Sequence, residues 1–252
     1  MSAIATTRWT ASDGVELVYR QTGEGRPVIL LHGLFSSAEV NWIKYGTAAQ
    51  VAAAGFRVIM PDHRGHGDSA KPHDPAFYPR GILARDVSEL IAHLGLDDYD
   101  LGGFSLGART IVQAVGEGLL APQKAILAGM GLRGILDWDR RQSFFRDVIA
   151  NFETAKRGDP HWLAIQFMKT MKVDRVAAAL VLHSFGDAPR AALTAFAMPT
   201  LVLIGAEDED NGSARELAEA LPDATYMEIP GTHMSCVTKP EMGRAIADFL
   251  VT

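Results

Sequence analysis

Short apolar segments rich in β-branched residues alternate along this chain with segments of helical periodicity, and few folds accommodate such an alternation. Apolar runs of this kind predict strands that are buried on both faces, as the strands of parallel sheets are. Six runs qualify: 26–33, 56–62, 98–105, 123–130, 199–206 and 224–231. The pattern predicts an α/β fold with a mostly parallel central sheet and helices on both faces.

Other segments add helices and a hairpin to this scheme. Residues 82–94 place their apolar side chains on one helical face, and Gly95 is positioned to end that helix. Pro240 suits the first position of a C-terminal helix. The N-terminal segment, with Asp13-Gly14 at its centre, predicts a β-hairpin instead.

The alternation stops between residues 132 and 195. This stretch is helical in composition and contains no convincing strand, whereas the apolar run at 199 resumes the strand pattern. We therefore expect a helical insertion at 132–195, carried by one core domain that is formed by residues 1–131 and 196–252.

Composition limits the classes of function. The chain has 252 residues, a net charge of −6 and no cluster of basic residues, so a nucleic-acid partner is not expected. Its single cysteine, Cys236, rules out a disulfide framework and any site with several cysteine ligands. No secretion signal or membrane-spanning segment is evident, so we expect a soluble cytoplasmic protein without a membrane partner. The oligomeric state is left open.

Ser105 is the strongest candidate for a catalytic residue. It lies between Gly103 and Gly107 in the pattern G-x-S-x-G, after a predicted strand and before a predicted helix. A sharp strand-to-helix turn lifts such a serine above the sheet, and small residues on either side relieve the crowding. The helix that begins at Leu106 points its N-terminal N–H groups toward the place where negative charge develops in acyl transfer.

The same glycines could indicate a nucleotide site, but the required residues are missing. A phosphate-binding loop needs a lysine where Ala108 stands, and the dinucleotide fingerprint G-x-G-x-x-G is absent from this segment. No cofactor is therefore expected.

A serine nucleophile needs a base, and the base needs an acid that fixes its tautomer. His233 follows the last predicted strand, and Asp208 and Asp210 follow the strand before it. Ligands of open α/β sheets bind beyond the carboxyl ends of the strands, where all of these residues are expected. The order Ser, Asp, His is the one that this arrangement uses.

The remaining histidines point to structural roles. His32 precedes Gly33 directly after a predicted strand, and we expect it to support the loop that follows. His63, His66 and His73 lie in or near a glycine-rich turn, but no further residue with metal-site spacing accompanies them, so no metal site is expected.

Taken in order, the segments LLHGLFSS, VIMPDHRGHGDSAKP, LGGFSLGAR, LVLIGAEDED and IPGTHMSCVTKPEMGRAIADFL resemble the successive motifs of the α/β-hydrolase fold superfamily. The resemblance covers nearly the whole chain outside the insertion, which corresponds to the family's cap domain. It implies a catalytic triad of Ser105, Asp208 and His233, with Asp208 favoured over Asp210 by its spacing from Gly205. It also implies an oxyanion hole formed by the backbone N–H groups of Leu34 and Leu106.

These observations together predict a cofactor-independent serine hydrolase that cleaves an ester, lactone or thioester of a small to medium acyl compound. A carbon–carbon bond hydrolase with the same triad and a non-catalytic small-molecule receptor are the alternatives. Haloalkane dehalogenases and epoxide hydrolases are disfavoured, because their resemblance calls for an aspartate where Ser105 stands. We expect the acyl pocket to include four apolar residues: Phe35, Phe145, Trp162 and Met168. The role of Arg109 is left open.

Overall fold

The protein is described here from a computed structural model, in which residues 3–252 are described and Met1 and Ser2 lie outside the described residues. Eight strands form one sheet in the order β1-β2-β4-β3-β5-β6-β7-β8. Their bounds are β1 (Ala5–Thr10), β2 (Glu16–Thr22), β3 (Arg26–Leu31), β4 (Phe56–Asp62), β5 (Asp100–Phe104), β6 (Ala125–Ala128), β7 (Thr200–Gly205) and β8 (Ala224–Ile229).

The predicted fold class is confirmed. Strands β3 to β8 pair in parallel, whereas β1 and β2 form the expected N-terminal hairpin and pair antiparallel. The hairpin turns at Gly14, whose φ of 84° lies in the left-handed region that glycine tolerates. Because the six central strands run in one direction, their carboxyl ends meet at a single edge of the sheet.

Nine α-helices lie within the described residues, and the sheet is covered by helices on both faces. Their bounds are α1 (Thr47–Ala53), α2 (Ile82–His93), α3 (Leu106–Gly116), α4 (Leu132–Leu136), α5 (Trp138–Ala150), α6 (Trp162–Thr170), α7 (Arg175–His183), α8 (Ala214–Glu219) and α9 (Pro240–Val251). One apolar core includes Val87 of α2, Ile111 of α3 and Leu217 of α8, and the opposite one includes Val51 of α1 and Ile246 of α9.

The helix that follows β4 ends as its sequence predicts. Gly95 has a φ of 62°, and the N–H of Leu96 donates to the carbonyl of Ile91 at 3.1 Å. This left-handed glycine with its backward hydrogen bond satisfies carbonyls that the end of a helix leaves unpaired. None of the described helices is long and apolar enough to cross a membrane.

One expectation about the sheet is wrong. Strand β8 was expected to be buried on both faces, but only Ile229 at its end is buried, and Thr225 and Glu228 are exposed. The reason is its position, since β8 pairs only with β7 and forms an edge of the sheet. Its apolar composition alone does not distinguish an edge strand from a central one.

The segment between β6 and β7 leaves the sheet and forms α4 to α7. We call residues 132–195 the cap. A separate apolar cluster in the cap includes Val148, Ile165, Met168 and Ala178, and it also contains Phe35 from the loop after β3. The cap is therefore packed onto the loops at the carboxyl edge of the sheet.

Candidate active site

Ser105 lies at the turn between β5 and α3 in a backbone conformation that few residues other than glycine adopt. Its φ is 52° and its ψ is −107°. A Cβ atom on Gly103 would collide with the backbone of Gly107, and a Cβ atom on Gly107 would collide with the carbonyl oxygen of Leu31. The two glycines are therefore required both by the turn itself and by its close approach to β3.

His233 and Asp208 complete a chain of hydrogen bonds that starts at Ser105. The Nε2 atom of His233 lies 3.1 Å from the Ser105 hydroxyl, and its Nδ1 atom lies 2.7 Å from Oδ2 of Asp208. With Nδ1 protonated and donating to the carboxylate, Nε2 is free to accept the serine proton. The ring of Phe104 lies 5.0 Å from the His233 ring and covers one of its sides.

The structure separates the two candidate acids. The Asp208 side chain is fully buried, and its Oδ1 atom accepts a hydrogen bond from the backbone N–H of Asp210 at 3.1 Å. The Asp210 side chain is 51% exposed and lies near Arg141. Asp208 is therefore the carboxylate that contacts His233, while Asp210 contributes its backbone to the orientation of Asp208.

Two backbone N–H groups are placed to stabilise negative charge beside Ser105. Leu106 is the first residue of α3, so its N–H has no acceptor within the helix, and the N–H of Leu34 has none among the described residues. Both residues line the same cleft as Ser105. A carbonyl oxygen that becomes negatively charged there would meet N–H donors at the positive end of a helix.

Buried side chains hold the loop that carries Leu34. The Nε2 atom of His32 accepts a hydrogen bond from the backbone N–H of His63 at 3.0 Å, so its Nδ1 atom carries the proton and donates to the carbonyl of Gly33 at 2.8 Å. The N–H of Gly33 in turn donates to Asn41 at 3.1 Å. These contacts give His32 a structural role and leave it no free nitrogen for proton transfer.

The glycine-rich turn after β4 is built around buried ionic groups. The carboxylate of Asp62 accepts hydrogen bonds from the backbone of Ala38 and Asp68 and from Arg20. Arg64, also buried, forms two hydrogen bonds with Asp86 and a third with Asp13. These pairs connect the turn to the loop after β3 and to α2, and they thereby stabilise the loops around the site.

His66 makes stability depend on pH. Burial lowers its pKa to about 4, and burial also lowers the pKa values of His32 and His63 well below their usual range. In the unfolded chain each histidine takes up a proton near pH 6.5. In the folded protein these three buried histidines remain neutral at that pH. Below that pH, the contribution of His66 to the free energy of unfolding should fall by about 1.4 kcal/mol per pH unit until about pH 4.

We expect His66→Asn to flatten the fall in stability between pH 6.5 and pH 4.5, measured by urea unfolding at a series of pH values. Burial raises the pKa of Asp86 to about 6, which acts with the opposite sign over this range, so the comparison of variant and wild type is the informative quantity. His183, which is exposed, provides the control substitution His183→Asn. An unchanged pH slope in His66→Asn would contradict this assignment.

A narrow cleft lies above Ser105 between the core domain and the cap, and its cavity volume is only about 10 Å³. The core contributes Leu34, Ser105 and Leu106, and α5 contributes Trp138, Arg141 and Phe145. Ligand pockets in proteins span roughly 300 to 1,000 Å³, so a substrate can reach Ser105 only when the cap helices move apart from the core. A larger depression of about 420 Å³ lies on the outer side of the Asp208 loop, but its lining includes neither Ser105 nor His233.

Of the four residues that we expected in the acyl pocket, the structure places only Phe145 in this cleft. Met168 is fully buried in the cap cluster, and Phe35 lies in the same cluster, with its ring 5.5 Å from that of Phe145. Trp162 begins α6, and it is half-buried and outside the cleft lining. Phe35, Trp162 and Met168 therefore lie outside the cleft lining, and Phe35 and Met168 belong to the cap's own apolar cluster.

Sequence reasoning predicted Phe145 of α5 as a pocket residue but missed Arg141 on the same helix. Trp138, Arg141 and Phe145 are spaced three and four residues apart, so they share one face of this helix. The spacing was visible in the sequence. The charged residues around Arg141, however, are typical of a solvated helix surface.

Arg109, one turn into α3, connects the nucleophile helix to both ends of the cap. Its guanidinium donates to the carbonyls of Gly134 and Ile135, where the cap begins, and to that of Gly186 near the cap's end. The Trp138 ring stacks on it with 4.6 Å between guanidinium carbon and ring centre. Burial lowers the pKa of Arg109 to about 10, although the side chain remains charged at neutral pH.

One group within the described residues has the spacing of a cation site. Carboxylate and imidazole atoms of Asp208, Asp210 and His233 lie within 4.8 Å of one another. Two of these residues are already joined by the hydrogen bond between Asp208 and His233. The cluster therefore belongs to the arrangement around Ser105.

Several known proteins are similar to this chain. The chain is 27% identical to the non-heme chloroperoxidase CPO-A1 of Kitasatospora aureofaciens over 98% of both chains. It is 36% identical to a soluble epoxide hydrolase of Corynebacterium over 42% of this chain, but this match spans only 35% of that protein. A thermophilic esterase from Thermogutta terrifontis superposes with a TM-score of 0.78 at 25% identity over 98% of both chains.

The family assignment depends on the part of the chain that carries Ser105. Residues 26–159, more than half of the chain, match the alpha/beta hydrolase fold family. This range contains β3 to β6, the loop of Leu34, the turn at Ser105 and the first part of the cap. The chain belongs to the alpha/beta hydrolase fold family.

Proposed function

We propose that the protein is a serine hydrolase that cleaves a carboxylic ester, lactone or thioester of a small to medium acyl compound through an acyl-enzyme intermediate. The observation that carries the proposal is the chain of hydrogen bonds from Ser105 through His233 to Asp208, at 3.1 and 2.7 Å. This arrangement is the one that activates a serine hydroxyl in acyl transfer.

The reaction follows from the positions of these groups. Ser105 Oγ attacks the substrate carbonyl while His233 Nε2 takes the hydroxyl proton, and the N–H groups of Leu34 and Leu106 stabilise the oxyanion. His233 then gives the proton to the leaving alcohol or thiol, which departs and leaves an ester on Ser105. Water activated by His233 attacks that ester, releases the acid and restores the serine.

The relatives support a hydrolase function in general, and the type of bond that is cleaved is to be determined by experiment. The similar structure from Thermogutta terrifontis is described as an esterase. The similarity to an epoxide hydrolase does not favour that activity here, because the nucleophile position holds Ser105 in place of the aspartate that the family resemblance would require.

The proposal can be tested by fluorophosphonate labelling followed by a panel of aryl esters of graded acyl length. We expect one label per chain, located at Ser105 by peptide mass spectrometry, and turnover of at least the shorter esters. Absence of both labelling and turnover would contradict the proposal and favour a receptor. Labelling without turnover of any ester or thioester would keep the activated serine and point to carbon–carbon bond cleavage.

A second candidate function is perhydrolysis, which the full-length similarity to a non-heme chloroperoxidase favours. Hydrogen peroxide would replace water in the attack on the acyl-enzyme, releasing a peroxyacid and restoring Ser105. The peroxyacid would then oxidise a halide ion and be reduced to the carboxylic acid. Bromination of phenol red in the presence of acetate, bromide and hydrogen peroxide tests this reaction, with Ser105→Ala as the control.

Phe145→Ala should change the preferred acyl length. Phe145 lines the cleft, so its truncation leaves room for a longer chain, and each methylene gained or lost is worth at most about 1 to 3 kcal/mol in kcat/KM. The measurement is the ratio of kcat/KM between acetyl and octanoyl esters. Trp162→Ala, which removes a cap aromatic outside the cleft, is the matched control. Equal shifts in both variants would mean that the cap as a whole, and not Phe145, sets the preference.

A further inference from the structure

The cleft above Ser105 contains a charged side chain that the triad does not use. Arg141 lies one turn into α5 and lines the cleft together with Ser105, and its side chain is only 10% exposed. Burial lowers its pKa, and the charge of Asp210 only partly offsets this effect. A guanidinium withdrawn from water needs hydrogen bonds and an opposite charge to be stable.

The protein supplies Arg141 with few of these interactions. Its guanidinium carbon lies 4.8 Å from the ring centre of Phe145 and 5.6 Å from that of Phe144. The nearest carboxylate oxygen belongs to Asp210 and is 3.7 Å away, on a side chain that is itself half exposed. Within residues 3–252 no hydrogen bond donated by the Arg141 guanidinium is found.

Two other buried arginines in this protein use their guanidinium groups for several hydrogen bonds. Arg64 is paired with two carboxylates at 2.6 and 2.7 Å and also donates to the carbonyl of Phe77. Arg109 donates to three backbone carbonyls of the cap, although its Nε has no partner. Only Arg141 of these three keeps its hydrogen-bonding edge uncommitted, and it does so beside the nucleophile.

We propose that Arg141 binds a carboxylate of the substrate, so that the ester cleaved at Ser105 carries a free carboxylate group on its acyl part. This inference rests on the proposed serine hydrolase function and names its substrate class. A guanidinium stacked on a phenyl ring leaves its planar edge as the free donor surface, and a carboxylate accepts two parallel hydrogen bonds from that edge.

The narrowness of the cleft suggests a short acyl chain. Ser105 and Arg141 both line this one cleft. A carbonyl at Ser105 and a carboxylate at Arg141 would then be joined by a short methylene chain. Half-esters of glutaric and adipic acid are therefore the appropriate probes.

The test compares charged esters with neutral esters of the same shape. Monomethyl glutarate is paired with methyl 5-methylhexanoate, and monomethyl adipate with methyl 6-methylheptanoate, and hydrolysis is followed by pH-stat titration at pH 7.5. We expect the wild-type enzyme to prefer the charged member of each pair. In Arg141→Gln, the ratio of kcat/KM between charged and neutral esters should fall about ten- to hundredfold, mainly through KM.

Two further variants separate this role from a structural one. Arg140→Gln removes the same charge from the neighbouring position, where the side chain is exposed and pairs with Asp137, and it should keep the wild-type ratio. Arg141→Lys keeps a point charge without the planar edge and should give an intermediate ratio. If Arg141→Gln does not fold by circular dichroism, Arg141→Lys against Arg140→Gln decides the question, since an unchanged ratio in Arg141→Lys would overturn the proposal.

A binding experiment makes the result independent of turnover. Monomethyl glutarate is titrated calorimetrically into Ser105→Ala, where we expect measurable binding that is lost when Arg141→Gln is added and kept when Arg140→Gln is added. Binding of this kind without ester turnover would support the carboxylate site and contradict the hydrolase function. Turnover with the same charged-to-neutral ratio in the wild type, Arg141→Gln and Arg140→Gln would leave the hydrolase standing and overturn the carboxylate site.

Discussion

Ser105→Ala should lower kcat for an activated ester by about a million-fold while leaving the fold intact. The members of a catalytic triad act as a unit, so loss of the nucleophile removes nearly all of their joint effect. The backbone at this position is already held by Gly103, Gly107 and the strand before it, and alanine accepts that conformation no worse than serine does. The measurement is steady-state turnover of 4-nitrophenyl acetate with a highly purified variant.

Circular dichroism and thermal unfolding of the same preparation provide the control for folding. A variant that retains even a few per cent of the wild-type kcat, after exclusion of contaminating wild-type enzyme, would remove Ser105 from the mechanism. The hydrogen bond between Ser105 and His233 would then have to be attributed to the stability of the loop.

Asp208→Asn should lower kcat by about ten-thousand-fold, because an asparagine amide favours the wrong tautomer of His233. The substitution keeps the size of the side chain, and the backbone N–H of Asp210 can still donate to its remaining oxygen. Asp210→Asn is the matched comparison, since this side chain is half exposed and the hydrogen bond of His233 goes to Asp208 instead. On a neutral ester it should change kcat little.

The two variants together test which acid serves the histidine. Similar losses in both would show that Asp210 contributes through its charge as well as its backbone. A larger loss in Asp210→Asn would show that Asp210, and not Asp208, is the acid. The His233 side chain would then have to turn away from Asp208 during the reaction.

Most of the sheet could be predicted from the sequence because its strands are buried and therefore apolar throughout. The run at 56–62 coincides with β4, and the other five predicted segments each contain one strand. The exception in burial, β8, shows the limit of this reasoning. Whether an apolar strand has one neighbour or two is decided by sheet order, which depends on contacts between segments far apart in the chain.

The difference between local patterns and long-range contacts also explains which parts of the site could be predicted from the sequence. The turn at Ser105 is local, because it depends on five consecutive residues that include Gly103 and Gly107. The cleft wall, by contrast, depends on how the cap helices pack on the core. Met168 faces the interior of the cap and Arg141 faces the cleft, although methionine looks like a pocket residue and arginine like a surface one. Composition identifies the cap as helical and apolar but does not orient its helices.

The contacts of Arg109 bear on how this protein could acquire new substrates. One guanidinium binds the chain both where the cap begins, at Gly134, and near the end of the cap, at Gly186. The two attachment points are therefore adjacent and belong to a single residue of the nucleophile helix, so the length of chain between them is not constrained by the sheet. A cap taken from another hydrolase could be grafted between these positions. The grafted cap would change the substrate specificity, while Ser105 and the residues around it would keep their positions.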